Sequence, residues 1–177
     1  DGYQTELTTL SNGKQVDSRI YPALQDLFDA MRADSIYPIV REGYRTTTDQ
    51  QSILDDKIKA YEQEGLSSLL AKKMASEWVA APGTSEHQLG IAVDINADKT
   101  KSTNDEVYTW LAEHAWEYGF ILRYPKEAEA VTEITYEPWH WRYVGPENAA
   151  LISQSGLCFE DAVAVLQKLA AGEKITG

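Results

Sequence analysis

The spacing of apolar residues changes several times along the chain, and each change predicts an element. Residues 1–17 are polar, with a turn signal at Asn12-Gly13, and read as a lead-in arm or a short hairpin. From Ile20, apolar residues fall at Leu24, Leu27, Phe28 and Met31, the spacing of a helix with one buried face, and Pro22 suits its first turn. Ile36 to Tyr44 carries β-branched and aromatic residues and predicts a strand. Thr48 followed by Gln51 resembles a capping box, and Ile53, Leu54, Ile58 and Tyr61 continue as a helix face. A third helix is expected from about Leu66 to Val79, stopped by Pro82-Gly83.

Beyond that point small and β-branched residues alternate from Gly90 to Asn96, as in a buried strand. Asn104 is placed to cap a helix carrying Val107, Trp110, Leu111 and Ala115, with Gly119 at its end. Phe120–Tyr124 and Ile134–Val144 read as strands, and 147–171 as a helical tail broken near Gly156. Helices lead and strands cluster later, without a βαβ rhythm or a glycine-rich phosphate loop. The expected class is therefore α+β with an antiparallel sheet flanked by helices. At 177 residues the chain is expected to form one catalytic domain over 1–177, with 1–17 as an arm and 147–177 as a helical tail.

Composition narrows the function classes. Sixteen basic and 28 acidic residues give a net charge of −12, the wrong sign for nucleic acid and for anionic lipid. The expectation is no nucleic-acid partner and no tight membrane contact. The single cysteine, Cys158, excludes an intrachain disulfide framework and a cysteine-rich metal cluster. It reads as a small apolar residue at the start of the tail helix.

Two of the three histidines have acidic residues at compact spacing. His87 follows Ser85 and Glu86 in a loop, and Asp94 lies in the strand beyond it. The second histidine stands in Glu137-Pro138-Trp139-His140-Trp141-Arg142. In a regular strand Glu137 and His140 would face opposite sides, but Pro138 disfavours regular pairing and a bend could bring both to one site. His87, Asp94 and His140 are suitable zinc ligands, and three of them leave one position open for water, as catalytic sites do. Glu137 is then the natural general base. Spacing alone leaves open the plainer alternative that the histidines are packed core residues and that Trp139, Trp141 and Tyr143 serve the sheet. His114 is read as an ordinary helix residue. Arg123 and Arg142, on expected strands near this region, are read as partners in structural ion pairs.

The combined pattern is more specific. Ser85-x-His87-x-x-Gly90-x-Ala92-x-Asp94, followed by Glu137-x-x-His140, resembles the zinc D-Ala-D-Ala carboxypeptidase family, VanY-type, with its L,D-carboxypeptidase relatives. Glu42-Gly43-Tyr44-Arg45-Thr46, with Gln50 and Gln51 after it, resembles a third family element. The resemblance implies the small α+β zinc peptidase fold shared with lysostaphin-like enzymes and the hedgehog signalling domain. It implies Zn2+ on His87, Asp94 and His140, with Glu137 moving the proton of the attacking water to the leaving amine. Arg45 would stabilise the developing negative charge on the scissile carbonyl. Ser85 and Gln50 would hold the terminal carboxylate or adjacent peptide, and Tyr136 and Trp139 would wall the cleft.

The expected activity is removal of the C-terminal D-alanine from peptidoglycan stem pentapeptides, without an acyl-enzyme. Alternatives of the same chemistry are an L,D-carboxypeptidase trimming tetrapeptides to tripeptides, a D-Ala-D-Ala dipeptidase, and an endopeptidase. From another class, a non-catalytic zinc-binding interaction domain would share the fold. The expected partner is the stem peptide, the expected state a monomer, and the expected location the wall side of the membrane, after an N-terminal signal or anchor absent from this sequence.

Overall fold

The structure is a computed structural model, and it describes residues 5–172. A two-stranded antiparallel hairpin, β1 (Leu7–Thr9) and β2 (Gln15–Asp17), opens the chain around the Asn12-Gly13 turn. It is more than an arm, because Val16 is fully buried in the main core. Helix α1 (Tyr21–Ala33) has its proline in the first turn and buries Leu24, Leu27, Phe28 and Met31, the face the periodicity predicts.

A four-stranded antiparallel sheet follows, in the order β3 (Pro38–Glu42), β4 (Ala92–Ala97), β6 (His140–Tyr143), β5 (Phe120–Leu122). Successive side chains leave a strand on opposite faces. Val93, Ile95 and Ala97 of β4, Trp141 of β6 and Phe120 of β5 therefore share the core with α1 and with α4 (Asn104–His114), which adds Val107, Trp110 and Leu111. Ile121 points the other way. It starts a smaller cluster with Ala149 and Ile152 of α6 (Pro146–Ser155) and Ala162 of α7 (Phe159–Ala170).

Between β3 and β4 run α2 (Thr47–Gln63) and α3 (Ser68–Ser76), packed on each other. Gln50 is the buried residue of α2. A short helical turn, α5 (Glu129–Thr132), precedes β6.

Several local expectations need correction. The capping box of α2 uses Thr46 and Asp49, not Thr48 and Gln51, because the chain leaves β3 earlier and Thr46 is the extended residue whose hydroxyl can reach a free amide. Thr103, not Asn104, caps α4 in a box with Glu106. The Asn104 side chain instead accepts from the amide of Ala97, pinning the end of β4. The expected strand 134–144 is a strand over His140–Tyr143 alone, and the expected strand 120–124 stops at Leu122. Pro138 can donate nothing to a ladder, and amides before it are taken by loop carbonyls: Thr135 donates to Glu77 and Glu137 to Tyr124.

Gly43, just after β3, lies against the hairpin. The amide of Tyr44 donates to the Gln15 carbonyl at 2.6 Å, and a Cβ on Gly43 would collide with that same carbonyl. The Gly43→Ala variant is expected to lose roughly 1–3 kcal/mol from this overpacking. Its thermal midpoint should fall by roughly 2–4 °C per kcal/mol, measured by circular dichroism against wild type.

Candidate metal centre and active site

The β4–β6 register sets Asp94 directly opposite His140. His87 reaches them from a 3₁₀ turn, Glu86–Leu89, that ends on Gly90 in a left-handed conformation (φ 70°). That turn lies close to β2, with the amide of Asp17 donating to the Gly90 carbonyl at 2.9 Å. A side chain on Gly90 would come within 2.9 Å of the Asp17 nitrogen, so glycine alone suits both the φ and the space.

The three side chains converge. One ligand atom from each of His87, Asp94 and His140 lies within 4.8 Å of the others. His87 Nδ1 is 2.8 Å from the Gly43 carbonyl, which orients the ring and turns Nε2 inward, 3.3 Å from Asp94 Oδ1. His140 points Nδ1 at that same oxygen, also at 3.3 Å. The imidazoles meet edge to face, with ring centres 4.8 Å apart. Asp94 Oδ1 is buried without a hydrogen-bond partner of good geometry among the described residues. A buried carboxylate oxygen facing two imidazole nitrogens fits a divalent cation, which would satisfy all three at once.

Glu137 stands beside this cradle, its Oε2 3.5 Å from His140 Nδ1. The bend at Pro138 does bring it to the same site, since the His140 amide donates to the Glu137 carbonyl at 3.1 Å. Burial, reinforced by the Asp94 charge, pushes the Glu137 carboxyl up to about 7, while His140 and Arg45 oppose the rise. Burial lowers His87, with Asp94 opposing. His140 is raised to about 9, because Asp94, Glu86 and Glu137 outweigh the effect of burial. Asp94 is held well below the usual carboxylate range by the two imidazoles, against burial.

Arg45 reaches in from the start of α2. Its Nη2 lies 3.4 Å from Asp94 Oδ2 and its Nη1 donates to Gln50 Oε1 at 3.3 Å. Gln50 is engaged at both ends, since its Nε2 donates to the Ala80 carbonyl at 2.8 Å. A cavity of about 120 Å³ is lined by Arg45, Gln50, Ser85, Glu137 and Trp139 together with the three candidate ligands. Tyr136 is not part of that wall and is 38% exposed. Trp78, Tyr124 and Ile134 are also part of the wall, without having been anticipated. They are apolar or aromatic side chains from loops, Tyr124 two residues beyond β5, with no local pattern that marks them. Arg123 and Arg142 do form ion pairs, both with Glu86. Glu86 was also unanticipated, although it stands between Ser85 and His87. The sequence contains one Ser-x-x-Lys spacing, Ser11 and Lys14, the kind used by serine acyl-enzymes. Ser11 is exposed in the hairpin turn and Lys14 is paired with Glu42 at 3.0 Å, so the two do not form a nucleophile and base.

The profile of the VanY family, D-alanyl-D-alanine carboxypeptidase, matches residues 13–146. The chain belongs to the VanY family. Among curated relatives it is 57% identical, over 159 residues, to a D-alanyl-D-alanine carboxypeptidase of Enterococcus faecalis (strain ATCC 700802 / V583). That match covers 90% of this chain and 59% of the relative, so the VanY-family chain spans about three fifths of that protein's length. Among solved structures, VanYB in complex with D-alanine-D-alanine superposes with a TM-score of 0.90 at 56% identity, covering 92% of this chain and 90% of that one. A mutant of the vancomycin-resistance D,D-pentapeptidase VanY, in complex with Zn(II), gives a TM-score of 0.89 at 56% identity, with 91% and 90% covered. The α+β zinc peptidase fold expected from the sequence is thus the fold of the family's solved members.

A cation that binds the folded cradle and not the unfolded chain stabilises the protein by mass action. At a free concentration 100-fold above its dissociation constant the gain is about 2.7 kcal/mol. Removal of divalent metal with a chelator should therefore lower the thermal midpoint of the wild type. The same treatment should leave the midpoint of His140→Ala unchanged.

Proposed function

We propose that this VanY-family chain is a zinc-dependent D,D-carboxypeptidase that removes the C-terminal D-alanine from peptidoglycan stem pentapeptides. The observation that carries the reading is the three-ligand cradle of His87, Asp94 and His140 with an independent buried carboxylate, Glu137, beside it. Relatives described as carboxypeptidases, and a VanY structure holding Zn(II), support the choice of substrate and metal. His87, Asp94 and His140 hold Zn2+, which supplies Lewis-acid polarisation of water and of the scissile carbonyl.

The remaining chemistry belongs to the chain. Glu137 takes a proton from the attacking water and returns it to the leaving amine. A carboxyl raised toward neutrality by burial suits a group that must do both. Arg45 lends its guanidinium to the oxygen on which negative charge develops. Its contacts with Asp94 and Gln50 fix it beside the cradle before substrate arrives. In this reading Ser85 and Trp139 meet the C-terminal residue of the peptide, Gln50 acts through Arg45, and Tyr136 meets substrate outside the cavity. The catalytic unit includes the N-terminal hairpin and the helical tail and acts as a monomer on the wall side of the membrane, where stem peptides are found.

Incubation of the zinc-loaded protein with pentapeptide and tetrapeptide stems and with free D-Ala-D-Ala, read by mass, tests the proposal. Loss of one alanine from the pentapeptide is expected. Cleavage of the tetrapeptide alone would replace this reading with an L,D-carboxypeptidase, and cleavage of the dipeptide alone with a dipeptidase. Glu137→Ala should retain zinc and lose roughly 10²–10⁴-fold in kcat. Arg45→Ala should lose about 10²–10³-fold in kcat. An Arg45→Ala variant that changed KM alone would assign the residue to ground-state binding instead.

A further inference from the structure

Behind His140, on the edge of the ring away from the cradle, lies a second group of charges. Glu86 is buried with its side chain 8% exposed. Its Oε1 accepts from Arg123 Nε and from Arg142 Nη1, each at 2.6 Å. Its other oxygen, Oε2, faces His140 Nε2 at 3.5 Å. Both of these facing atoms are buried and lack any other hydrogen-bond partner among the described residues. A closure of a few tenths of an ångström would make them a charge-assisted hydrogen bond. The two arginines are held from outside by α7. Arg123 donates to Glu160 at 3.0 and 2.6 Å, and both guanidiniums stack over Phe159, at 4.9 and 4.3 Å from its ring centre.

We propose that Glu86 is a positioning residue of the metal site: it accepts the Nε2 proton of His140 and so presents Nδ1 to the cradle as a lone pair. The inference rests on the metal reading above. Its force comes from what faces Nδ1. Asp94 Oδ1 at 3.3 Å and Glu137 Oε2 at 3.5 Å are both acceptors that favour a proton on Nδ1, and a cation binding there has to displace that proton while the ring keeps the one on Nε2. A competing acceptor at Nε2 is needed. Glu86 fills that place, because a carboxylate flanked by two guanidiniums has nothing to donate. Carboxylates behind ligating imidazoles fix tautomer and ring orientation in this way.

Glu86→Gln inverts the arrangement at almost constant volume. The arginines require the amide oxygen on their side, which turns the NH2 group toward His140 Nε2 and moves the ring proton to Nδ1. Glu160→Gln alters the same network at its far end, without touching His140. Zinc affinity, measured by competition with a chromogenic chelator, is expected to fall about 10- to 100-fold in Glu86→Gln and to stay at the wild-type value in Glu160→Gln. An unchanged affinity in Glu86→Gln, or equal losses in both variants, would overturn the proposal. A measurement on the wild type does not depend on either variant folding. Long-range 1H–15N spectra of the zinc-loaded protein should show the His140 Nε2 proton as a slowly exchanging signal shifted downfield by a hydrogen bond to a carboxylate, and an Nε2 proton that exchanges freely with water would overturn the proposal. A wild type that binds no zinc would overturn the metal reading itself, which separates that failure from this one.

Discussion

The arrangement depends first on the register between β4 and β6. Asp94 and His140 face each other because Val93 and Trp141, one step along, pair on the opposite side of the sheet and are buried in the core. A slip of one residue would turn a ligand into the hydrocarbon interior and a large apolar side chain out of it. The hydrophobic effect, acting on residues with no chemistry of their own, thus fixes the separation of two groups that have it. The turn at Gly90 then delivers His87, and the bend at Pro138 delivers Glu137, to a position the sheet has already defined.

The same arrangement is costly in isolation. Asp94, Glu86, Glu137, His87 and His140 are all largely withdrawn from water, and buried charge is destabilising unless it is paired. The pairing is distributed: Arg45 takes one oxygen of Asp94, Arg123 and Arg142 take one oxygen of Glu86, and the Gly43 carbonyl takes a nitrogen of His87. The atoms left over are the informative ones. Asp94 Oδ1 is among them, at the point where an ion would sit, while Glu86 Oε2 and His140 Nε2 face each other behind it.

Much of this was legible in the sequence because it was local. The α1 face, the buried alternation of β4, the pair His87 and Asp94 and the pair Glu137 and His140 are each patterns within a few residues, and the family resemblance implied that the two pairs meet. The misjudged elements turn on competition between neighbours. Thr46 and Thr48 offer the same hydroxyl, and Thr103 and Asn104 are both good caps. In each case the cap is the one in extended conformation just before the helix. The stretch 134–138 has strand composition, yet its Thr135 and Glu137 amides pair with the carbonyls of Glu77 and Tyr124 and not with a strand. Glu86 was hidden for another reason. A glutamate in a loop is ordinarily solvated, and its partners, Arg123 and Arg142, are remote in sequence and meet it only when the sheet closes. Tyr136 shows the converse, an aromatic residue next to Glu137 that the fold turns outward.

The family's sequence signature ends at residue 146, whereas Phe159 and Glu160 belong to α7. Those two residues form the outer wall behind Arg123 and Arg142, and through them behind Glu86. A fragment trimmed to the signature would keep all three candidate ligands, Glu137 and Arg45. It would also open the rear of the site to water, taking Glu160 from Arg123 and the Phe159 ring from both guanidiniums. The boundary of the motif is therefore not the boundary of the working part, and a transplanted or minimised version of this centre has to carry its C-terminal helices with it.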